Sequence, residues 1–393
     1  MRLETTYDIS NRQIAHDEQA KRGATKTVFV ALGIYDRLGG LERFNQRVVR
    51  CLTHFAHERR IDPARVLSLW DAPRPAESVG GALLFDGFNH SKVRMAARFA
   101  WTFLRHRPDV LLVGHVLLWP LAVVAALLSP RTRIVLFVHG TDVWGKRGRG
   151  PVSWMERWAV QHFMHRIVSV SRYTAKVMAD VYGLESDRFA ILPNATDIRP
   201  DGMAPPAGPL RPPRRLITVT RLSAKDMYKG CNKVILAVDR LRHEFPDLEY
   251  WIVGDGPLRA ELAAMTERLG LARHVHLLGR LSDSALHDRY SEADIFVMPS
   301  TGEGFGIVFL EAWQHGLPVV CGNADASPEV VQHEVSGLTV DPHSVEDLIA
   351  ALRRLIDGPA LAQRLGRNGF QAVMERYTHA HFQKRLWQIV SAR

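Results

Sequence analysis

Short apolar runs alternate with longer amphipathic stretches along the whole chain of 393 residues. Apolar runs rich in Val, Ile and Leu that are separated by helical patterns are typical of buried strands in parallel sheets. In the first half the predicted strands are Thr27–Leu32, Val66–Leu69, Val110–Gly114, Ile134–His139, Ile167–Ser171 and Phe189–Leu192. This alternation predicts an α/β fold.

A second series of predicted strands comprises Leu216–Thr220, Tyr250–Val253, Val275–Leu278, Ile295–Met298 and Pro318–Cys321. Residues 200–214, between the two series, are dense in proline and glycine, which favours a linker. The pattern therefore predicts two Rossmann-like domains, 27–199 and 215–369, that face a central cleft at the carboxyl ends of their strands. We expect a polar N-terminal extension over 1–26 and an amphipathic C-terminal helix over 370–393.

One apolar run, Val110–Leu128, is close to the length of a membrane span. Gly114, His115 and Pro120 interrupt it, and Asp109 stands at its start. These interruptions favour a buried strand followed by a buried helix over a transmembrane segment.

The composition is that of an ordinary globular protein, with 23% charged and 46% hydrophobic residues. The three cysteines, Cys51, Cys231 and Cys321, are far apart, which predicts neither a disulfide framework nor a zinc site and fits a reducing cytoplasm. The polar N-terminus lacks the apolar core of a signal peptide. We therefore expect a cytoplasmic protein.

Charge is distributed unevenly over the two halves. Residues 1–200 carry 29 Lys and Arg against 18 Asp and Glu, a balance of +11, whereas the rest of the chain carries 22 against 23, a balance of −1. The asymmetry predicts an anionic partner for the first half, either an anionic membrane or nucleic acid. Nucleic acid is disfavoured because no recognised binding motif is present. The alternative is an arginine-rich chain with a solvated basic face.

Candidate chemistry concentrates after the predicted strand Ile295–Met298. A glycine-rich turn there carries Glu303 and opens a helix in which Glu311 lies two turns further on. Glycines let backbone N–H groups approach a ligand, and a helix N-terminus attracts phosphate. The pattern suits a nucleotide sugar: amides for the diphosphate, one carboxylate for the ribose hydroxyls and one near the sugar. The alternative is a solvated helix N-terminus with acids in its first turns.

This segment resembles the glutamate-seven-glutamate motif of the family 4 retaining glycosyltransferases of the GT-B fold. The resemblance extends from Thr27 to about Trp387 and is most specific between Arg221 and Glu311. It implies transfer of a sugar from a nucleotide diphosphate donor with retention of configuration, in bacterial cell-surface polysaccharide or glycolipid assembly. It also implies that the C-terminal helix crosses back onto the N-terminal domain. The motif residues implied to bind the donor are Glu303, Gly304, Phe305, Gly306, Ile307 and Glu311.

Two cations lie at the end of the first strand of the second domain. Arg221 offers a bidentate fork and Lys229 a compact charge, and together they can clamp a diphosphate. The resemblance gives both residues that role and lets them stabilise the leaving nucleotide. The alternative is a solvated basic loop. Two further turns resemble donor-binding loops of the family, with Gly254 and Gly256 in one and Arg280 and Leu281 in the other.

In the first half, His139 ends a predicted strand, and the matching histidine of the family lies beside the donor sugar. A single histidine is also commonly structural. Gly39 and Gly40 resemble the paired glycines that bring the first loop close to the sugar and diphosphate. Residues 193–197 resemble the family's Pro-Asn-Gly-Val-Asp with Ala195 in place of glycine, and Asn194 is expected to be structural or related to a hinge.

No Asp-x-Asp motif and no His/Cys cluster with ligand spacing is present, so no metal and no other cofactor is expected. Glu303, His139, Arg221 and Lys229 are the candidate catalytic residues. The predicted partners are a nucleotide-sugar donor (GDP-mannose or a UDP-hexose), a glycan or lipid-diphosphate acceptor and the inner face of an anionic cytoplasmic membrane. The alternatives are a nucleotide-sugar 2-epimerase, another GT-B enzyme such as a phosphorylase, or a non-catalytic basic binding protein.

Overall fold

The computed structural model describes residues 24–36, 39–74, 82–145, 150–197, 212–224 and 226–392. Most of the predicted N-terminal extension, 1–26, and of the predicted linker, 200–214, lies outside the described residues. Two parallel sheets, one in each half of the chain, form the framework of the protein.

The N-terminal sheet has seven parallel strands in the order β3-β2-β1-β4-β5-β6-β7. Their bounds are β1 (Thr27–Ala31), β2 (Ala64–Ser68), β3 (Leu83–Gly87), β4 (Val110–Val113), β5 (Arg133–Val138), β6 (Arg166–Ser169) and β7 (Phe189–Ile191). All residues of β1 and β4 are buried, as expected for apolar strands that helices cover on both faces.

In the described part of this half, helices follow β1, β3, β4, β5 and β6. They are α1 (Gly40–His57), α2 (Lys92–His106), α3 (Trp119–Leu128), α4 (Trp154–Phe163) and α5 (Arg172–Tyr182), with 3₁₀ turns at Val116–Leu118 and Ser186–Arg188. Serine side chains cap the starts of α2, α4 and α5 by accepting a backbone N–H of the first turn.

The C-terminal sheet has six parallel strands in the order β10-β9-β8-β11-β12-β13. Their bounds are β8 (Arg215–Val219), β9 (Glu249–Val253), β10 (Val275–Gly279), β11 (Ile295–Met298), β12 (Val319–Gly322) and β13 (Gly337–Val340). The helices described in this half are α6 (Cys231–Leu241), α7 (Leu258–Arg268), α8 (Asp283–Glu292), α9 (Ile307–Gln314), α10 (Ser327–Val330), α11 (Val345–Asp357), α12 (Pro359–Arg376) and α13 (His379–Ser391), with a 3₁₀ turn at Asp226–Lys229.

All eleven strands predicted from the sequence are present in the structure, with bounds that differ by at most two residues. Two strands, β3 and β13, were not predicted. Both lie at sheet edges, where a strand packs against fewer neighbours and needs a weaker apolar signal. Leu84 of β3 is exposed and β13 starts at Gly337, so neither run carries the pattern of a buried strand.

The expected single C-terminal helix over 370–393 is wrong. The structure has two helices there, because α12 ends at Arg376 and α13 begins after Thr378, whose side chain caps it. Helix α13 crosses back to the N-terminal domain. Phe382 packs on Phe44 with ring centroids 5.4 Å apart, and Trp387 packs on Phe55 at 5.0 Å.

The Val110–Leu128 run forms β4, a 3₁₀ turn and α3, which confirms the prediction of a buried strand followed by a helix. The prediction that the helix is buried is wrong, because only Ala122 and Ala125 of α3 are buried and Leu127 is exposed. Within the described ranges, no helix combines the length and the apolar character that crossing a membrane requires.

Each sheet has a topological switch point at which the strand order reverses. In the N-terminal sheet it lies between β1 and β4, and in the C-terminal sheet between β8 and β11. Ligands of such open parallel sheets bind beyond the carboxyl ends of the strands at this point. The loops after β8 and β11 carry the predicted cations and carboxylates, so the fold brings these residues to one place.

Candidate active site

The loop after β8 is held by close backbone packing against the turn after β9. A side-chain carbon at Gly254 would overlap the carbonyl oxygen of Thr220, and one at Gly256 would overlap that of Leu222. Only glycine allows this approach. The two glycines, which the sequence assigns to donor binding, therefore fix the loop that carries Arg221.

Lys229 and Glu303 form an ion pair between the loops after β8 and β11. Both side chains are largely buried, with exposed fractions of 15% and 10%. Burial lowers the pKa of the Lys229 ammonium, but the neighbouring Glu303 carboxylate outweighs burial and the net pKa is raised. Lys229 is therefore a fixed positive charge at the switch point.

Asp325 supports Glu303 and was missed by the sequence analysis. Its carboxylate accepts the backbone N–H of Glu303 at 2.6 Å and that of Ser327 at 2.9 Å. Burial, together with the negative charge of Glu303, raises the pKa of Asp325 to about 6. The residue follows β12, the strand beside β11, so its position becomes visible only when the strand order is known.

Arg221 differs from Lys229 in being open to solvent, with 68% of its side chain exposed. Its guanidinium lies 3.8 Å from the carboxylate of Asp226. Across the cleft, one guanidinium nitrogen comes within 3.8 Å of the position that a side-chain carbon would take at Gly39. Gly39 directly precedes α1, so the structure brings the predicted glycine pair, Gly39 and Gly40, close to Arg221.

Glu311 on α9 is bound by residues from both domains. It forms an ion pair with Arg43 of α1, and Tyr290 of α8 donates to its other oxygen at 3.3 Å. Burial raises the pKa of the Glu311 carboxyl, although the Arg43 guanidinium opposes the shift. Neither partner was predicted. Arg43 follows the glycine pair by three residues, which was the one available signal.

His139 stands at the end of β5, on the N-terminal side of the cleft. Its Nε2 lies 3.0 Å from the carbonyl oxygen of Gly114. A carbonyl oxygen can only accept, so Nε2 carries the hydrogen and Nδ1 is the remaining nitrogen for a ligand. Phe44 packs edge-on against the imidazole with ring centroids 4.8 Å apart and limits its rotation.

The two domains touch directly beside this histidine. A side-chain carbon at Gly304 would overlap the carbonyl oxygen of His139, and one at Gly140 would lie 2.7 Å from the Cα of Gly304. The hydroxyl of Thr174 also lies 3.5 Å from the carbonyl oxygen of Gly304. Gly304 thus joins the domains and lies between Glu303 and His139.

The remaining predicted donor residues divide into two groups. Phe305 is buried with its ring against Tyr377 at 5.7 Å, so only its backbone is left for a ligand. Gly306 is the N-cap of α9 and Ile307 its first residue, which leaves first-turn N–H groups without a partner inside the helix. Arg280, which is exposed, and Leu281, which is half-buried, follow β10, two strands away from β8.

Further contacts hold the domains together around the cleft. The carboxylate of Glu329 accepts the backbone N–H groups of Arg172 and Tyr173 at the start of α5. Gln314 donates to the hydroxyl of Thr196 at 2.6 Å. Thr196 in turn donates its N–H to the carbonyl oxygen of Tyr377 at 2.8 Å. Residues 193–197, which include Asn194, therefore lie where the chain passes between the domains.

No group of three or more His, Cys, Asp and Glu side chains arranged to hold a metal ion occurs among the described residues. The charges at the switch point are instead Arg221, Lys229, Glu303 and Glu311 with their protein partners.

Comparison with known proteins agrees with this geometry. Residues 38–199 match the family model described as Glycosyltransferase Family 4, and residues 209–372 match Glycosyl transferases group 1. The GDP-mannose-dependent alpha-(1-6)-phosphatidylinositol monomannoside mannosyltransferase of Mycobacterium tuberculosis is 32% identical over 266 residues, covering 64% of this chain and 68% of that protein. The lipopolysaccharide core biosynthesis glycosyltransferase LpsD of Rhizobium meliloti is 33% identical over 190 residues, covering 48% and 53%.

Among solved structures, HepE of Anabaena in complex with UDP and glucose superposes with a TM-score of 0.72 at 18% identity, covering 93% of this chain and 99% of that one. The fold and the site define a glycosyltransferase with the GT-B architecture. The chain belongs to family 4 of these enzymes, as the sequence resemblance predicts.

The different burial of the two cations predicts different effects on stability. We expect Lys229→Ala to lower the free energy of unfolding by about 3–5 kcal/mol, because it leaves a buried carboxylate without its partner. Arg221→Ala should change it by less than about 0.5 kcal/mol, because the side chain is mostly exposed. Chemical denaturation of both variants measures the difference.

The double variant Lys229→Met, Glu303→Gln is the matched control, since it removes both charges and should recover much of the loss. Equal stability of Lys229→Ala and the wild type would contradict a buried ion pair at this position.

Proposed function

We propose that the enzyme transfers a hexose from a nucleotide diphosphate donor to a hydroxyl of a glycan or lipid-linked acceptor, with retention of configuration. The observation that carries the proposal is the convergence of Arg221 and the Lys229–Glu303 pair at the β8/β11 switch point, across the cleft from His139. Two cations and a helix N-terminus at one switch point suit a diphosphate.

In this proposal Arg221 and Lys229 bind the donor diphosphate, and the first N–H groups of α9, from Gly306 and Ile307, add further donors. The bond between the anomeric carbon and the diphosphate oxygen breaks, and its electron pair leaves with the diphosphate. The acceptor oxygen forms the new bond on the same face of the sugar, and its proton passes to a departing phosphate oxygen. The fixed charges stabilise the diphosphate as negative charge develops, without the need for a metal.

The two glutamates have separate roles in the proposal. Glu303 lies beside the interdomain contact and His139, so it binds the sugar, with Nδ1 of His139 as a second partner for sugar hydroxyls. Glu311 lies more than one helix turn beyond Glu303 along the chain, on α9, and binds the ribose hydroxyls. Its present contacts with Arg43 and Tyr290 hold the carboxylate in one orientation. Gly254, Gly256, Arg280 and Leu281 complete the nucleotide side, and Gly39 and Gly40 close the first loop over the diphosphate.

The relatives support the donor and acceptor classes that we propose. The mycobacterial relative is named for GDP-mannose and for a phosphatidylinositol monomannoside, and HepE was solved with UDP and with glucose. GDP-mannose or a UDP-hexose is therefore the proposed donor. A lipid-linked acceptor would be used at the inner face of the cytoplasmic membrane, in surface polysaccharide or glycolipid assembly, and nucleic acid has no part in the reaction.

A donor panel in EDTA tests the proposal. GDP-mannose, UDP-glucose, UDP-galactose and UDP-N-acetylglucosamine are each mixed with the enzyme, and the melting temperature is recorded. A ligand that binds the folded state must raise it by mass action. We expect the donors that carry one of the two bases to raise the melting temperature strongly. Turnover of such a donor with a carbohydrate acceptor should persist in EDTA.

Three results would contradict parts of this account. An unchanged melting temperature with every nucleotide sugar would contradict the proposed donor site. Loss of turnover in EDTA with recovery in Mn²⁺ would contradict the metal-free mechanism. Conversion of the donor to an epimer without acceptor would make the enzyme an epimerase.

The assignment of the glutamates predicts a separation of kinetic effects. Glu311→Gln should weaken nucleotide affinity, because the ribose loses a charged acceptor. Glu303→Gln should lower turnover at saturating donor by about 10²–10³ and affect affinity less, because its contact is with the reacting sugar. Titration with the nucleotide alone, beside steady-state kinetics, separates the two effects.

Arg43→Lys is a control for Glu311, since it retains the charge beside that carboxylate while removing the planar guanidinium. Equal losses of donor affinity in both glutamate variants, with unchanged turnover at saturation, would overturn the division of roles.

A further inference from the structure

Most of the exposed large apolar side chains lie in one region of the molecule. Eleven such side chains are exposed among the described residues, and eight of them lie on α2, α4 and in or beside α3. We name this region the tryptophan face; it consists of Val93, Trp101, Leu104, Leu117, Leu127, Trp154, Met155 and Trp158. The C-terminal domain exposes only Leu236 and Val335 in its described part. Clustering of this kind marks an interaction surface.

Helix α3 forms the centre of the tryptophan face. It packs against α2 on one side and α4 on the other, and its own residues Ala122 and Ala125 are buried. None of its ten residues carries a charged side chain. A helix that is apolar all round is normally buried, yet Leu127 is 72% exposed. The outer side of α3 is therefore suited to an apolar environment that this chain does not provide.

The exposed charged side chains on these three helices all have one sign. Helix α2 contributes Lys92, Arg94 and Arg105, and α4 contributes Arg157. The acid present on these three helices is Glu156, which is buried and accepts a hydrogen bond from the hydroxyl of Tyr182. The partner must therefore combine an apolar layer with negative charge.

We propose that the tryptophan face docks on the surface of an anionic lipid bilayer. Tryptophan side chains favour the boundary between headgroups and acyl chains, and basic side chains favour anionic headgroups. A second copy of this chain is the poorer occupant, because a symmetric contact would bring like charges together. The attachment is peripheral, by side chains that reach the interface from three helices.

Docking by this face also orients the catalytic cleft. Helix α3 follows β4 and His115, and α4 follows β5 and His139, so both helices begin at the cleft edge of the N-terminal sheet. Leu117, Trp154 and Met155 lie at those helix starts. The bilayer would therefore adjoin the acceptor side of the cleft, which rests on the proposed function and favours an acceptor anchored in lipid.

Co-sedimentation of the full chain with vesicles tests the proposal. The vesicles are phosphatidylcholine alone or phosphatidylcholine with phosphatidylglycerol. We expect binding to the mixed vesicles that weakens with salt, because screening shortens the reach of the charges. Tryptophan fluorescence should be quenched by brominated phosphatidylglycerol.

Two sets of variants separate the apolar and the charged contributions. Leu104→Ser, Leu127→Ser, Trp154→Ser together should lower vesicle affinity about tenfold or more, since three apolar side chains no longer leave water. Arg94→Gln, Arg105→Gln, Arg157→Gln together should cause a similar loss at low salt. Two matched controls in the C-terminal domain should bind vesicles like the wild type. The apolar control combines Leu236→Ser and Val335→Ser, and the charge control combines Arg268→Gln, Arg273→Gln and Arg367→Gln.

Nucleotide binding by thermal shift is recorded for every variant, which checks folding and separates the two proposals. If the wild type binds vesicles but no nucleotide changes its melting temperature, the proposed donor site is contradicted and the docking proposal still stands. Wild-type vesicle affinity in the serine variant, or no binding to mixed vesicles at low salt, would overturn the docking face. The proposal would also be overturned if sedimentation velocity showed a dimer for the wild type and a monomer for the serine variant, because the face would then bind a second copy of the chain.

Discussion

The candidate active site depends on one close contact between the two domains. Gly304, in the loop after β11, lies against His139 and Gly140, in the loop after β5, so closely that neither glycine leaves room for a side-chain carbon. Each sheet alone supplies half of the site, because the cations and carboxylates come from the C-terminal domain and the histidine from the N-terminal domain. The contact fixes their separation. Positions of catalytic groups within about 1 Å decide rates by factors near 10², which gives this contact functional weight.

Electrostatic contacts around the cleft act in the same direction. Arg43 pairs with Glu311, and the carboxylate of Glu329 satisfies N–H groups at the start of α5, where the helix dipole favours a negative charge. In both cases a group from one domain meets the requirement of a group in the other. These interdomain contacts thus stabilise the relative position of the domains as well as the individual loops. Separating the domains would remove Arg43 from Glu311, and the N–H groups at the start of α5 from Glu329.

Much of this arrangement could be predicted from the sequence. Buried strands of a parallel sheet are nearly continuous apolar runs, and their ends are marked by glycines. The strands that precede Arg221, Glu303 and His139 were therefore predicted. The edge strands β3 and β13 were not predicted, because an edge strand needs less apolar character. The break between α12 and α13 was missed since Tyr377 and Thr378 do not interrupt the amphipathic pattern; the cap supplied by Thr378 is local chemistry that periodicity does not report.

Contacts between residues that are distant along the chain could not be predicted, for a different reason. Arg43 and Glu311 are separated by 268 residues, and Asp325 meets Glu303 only because β12 lies beside β11. The motif predicted that Gly304 approaches a ligand, which stays a prediction, and the structure adds its approach to the other domain. Local patterns predict which loop a residue occupies, whereas its contacts follow from strand order and domain position.

The contact at Gly304 is tested most directly by the kinetics of Gly304→Ala. The added carbon would overlap the carbonyl oxygen of His139 and force the domains apart, whereas Arg221 and Lys229 both belong to the C-terminal domain. We expect turnover at saturating donor to fall about 10²-fold and nucleotide affinity to fall much less. Wild-type turnover in this variant would contradict the claim that the close contact between the domains assembles the active site.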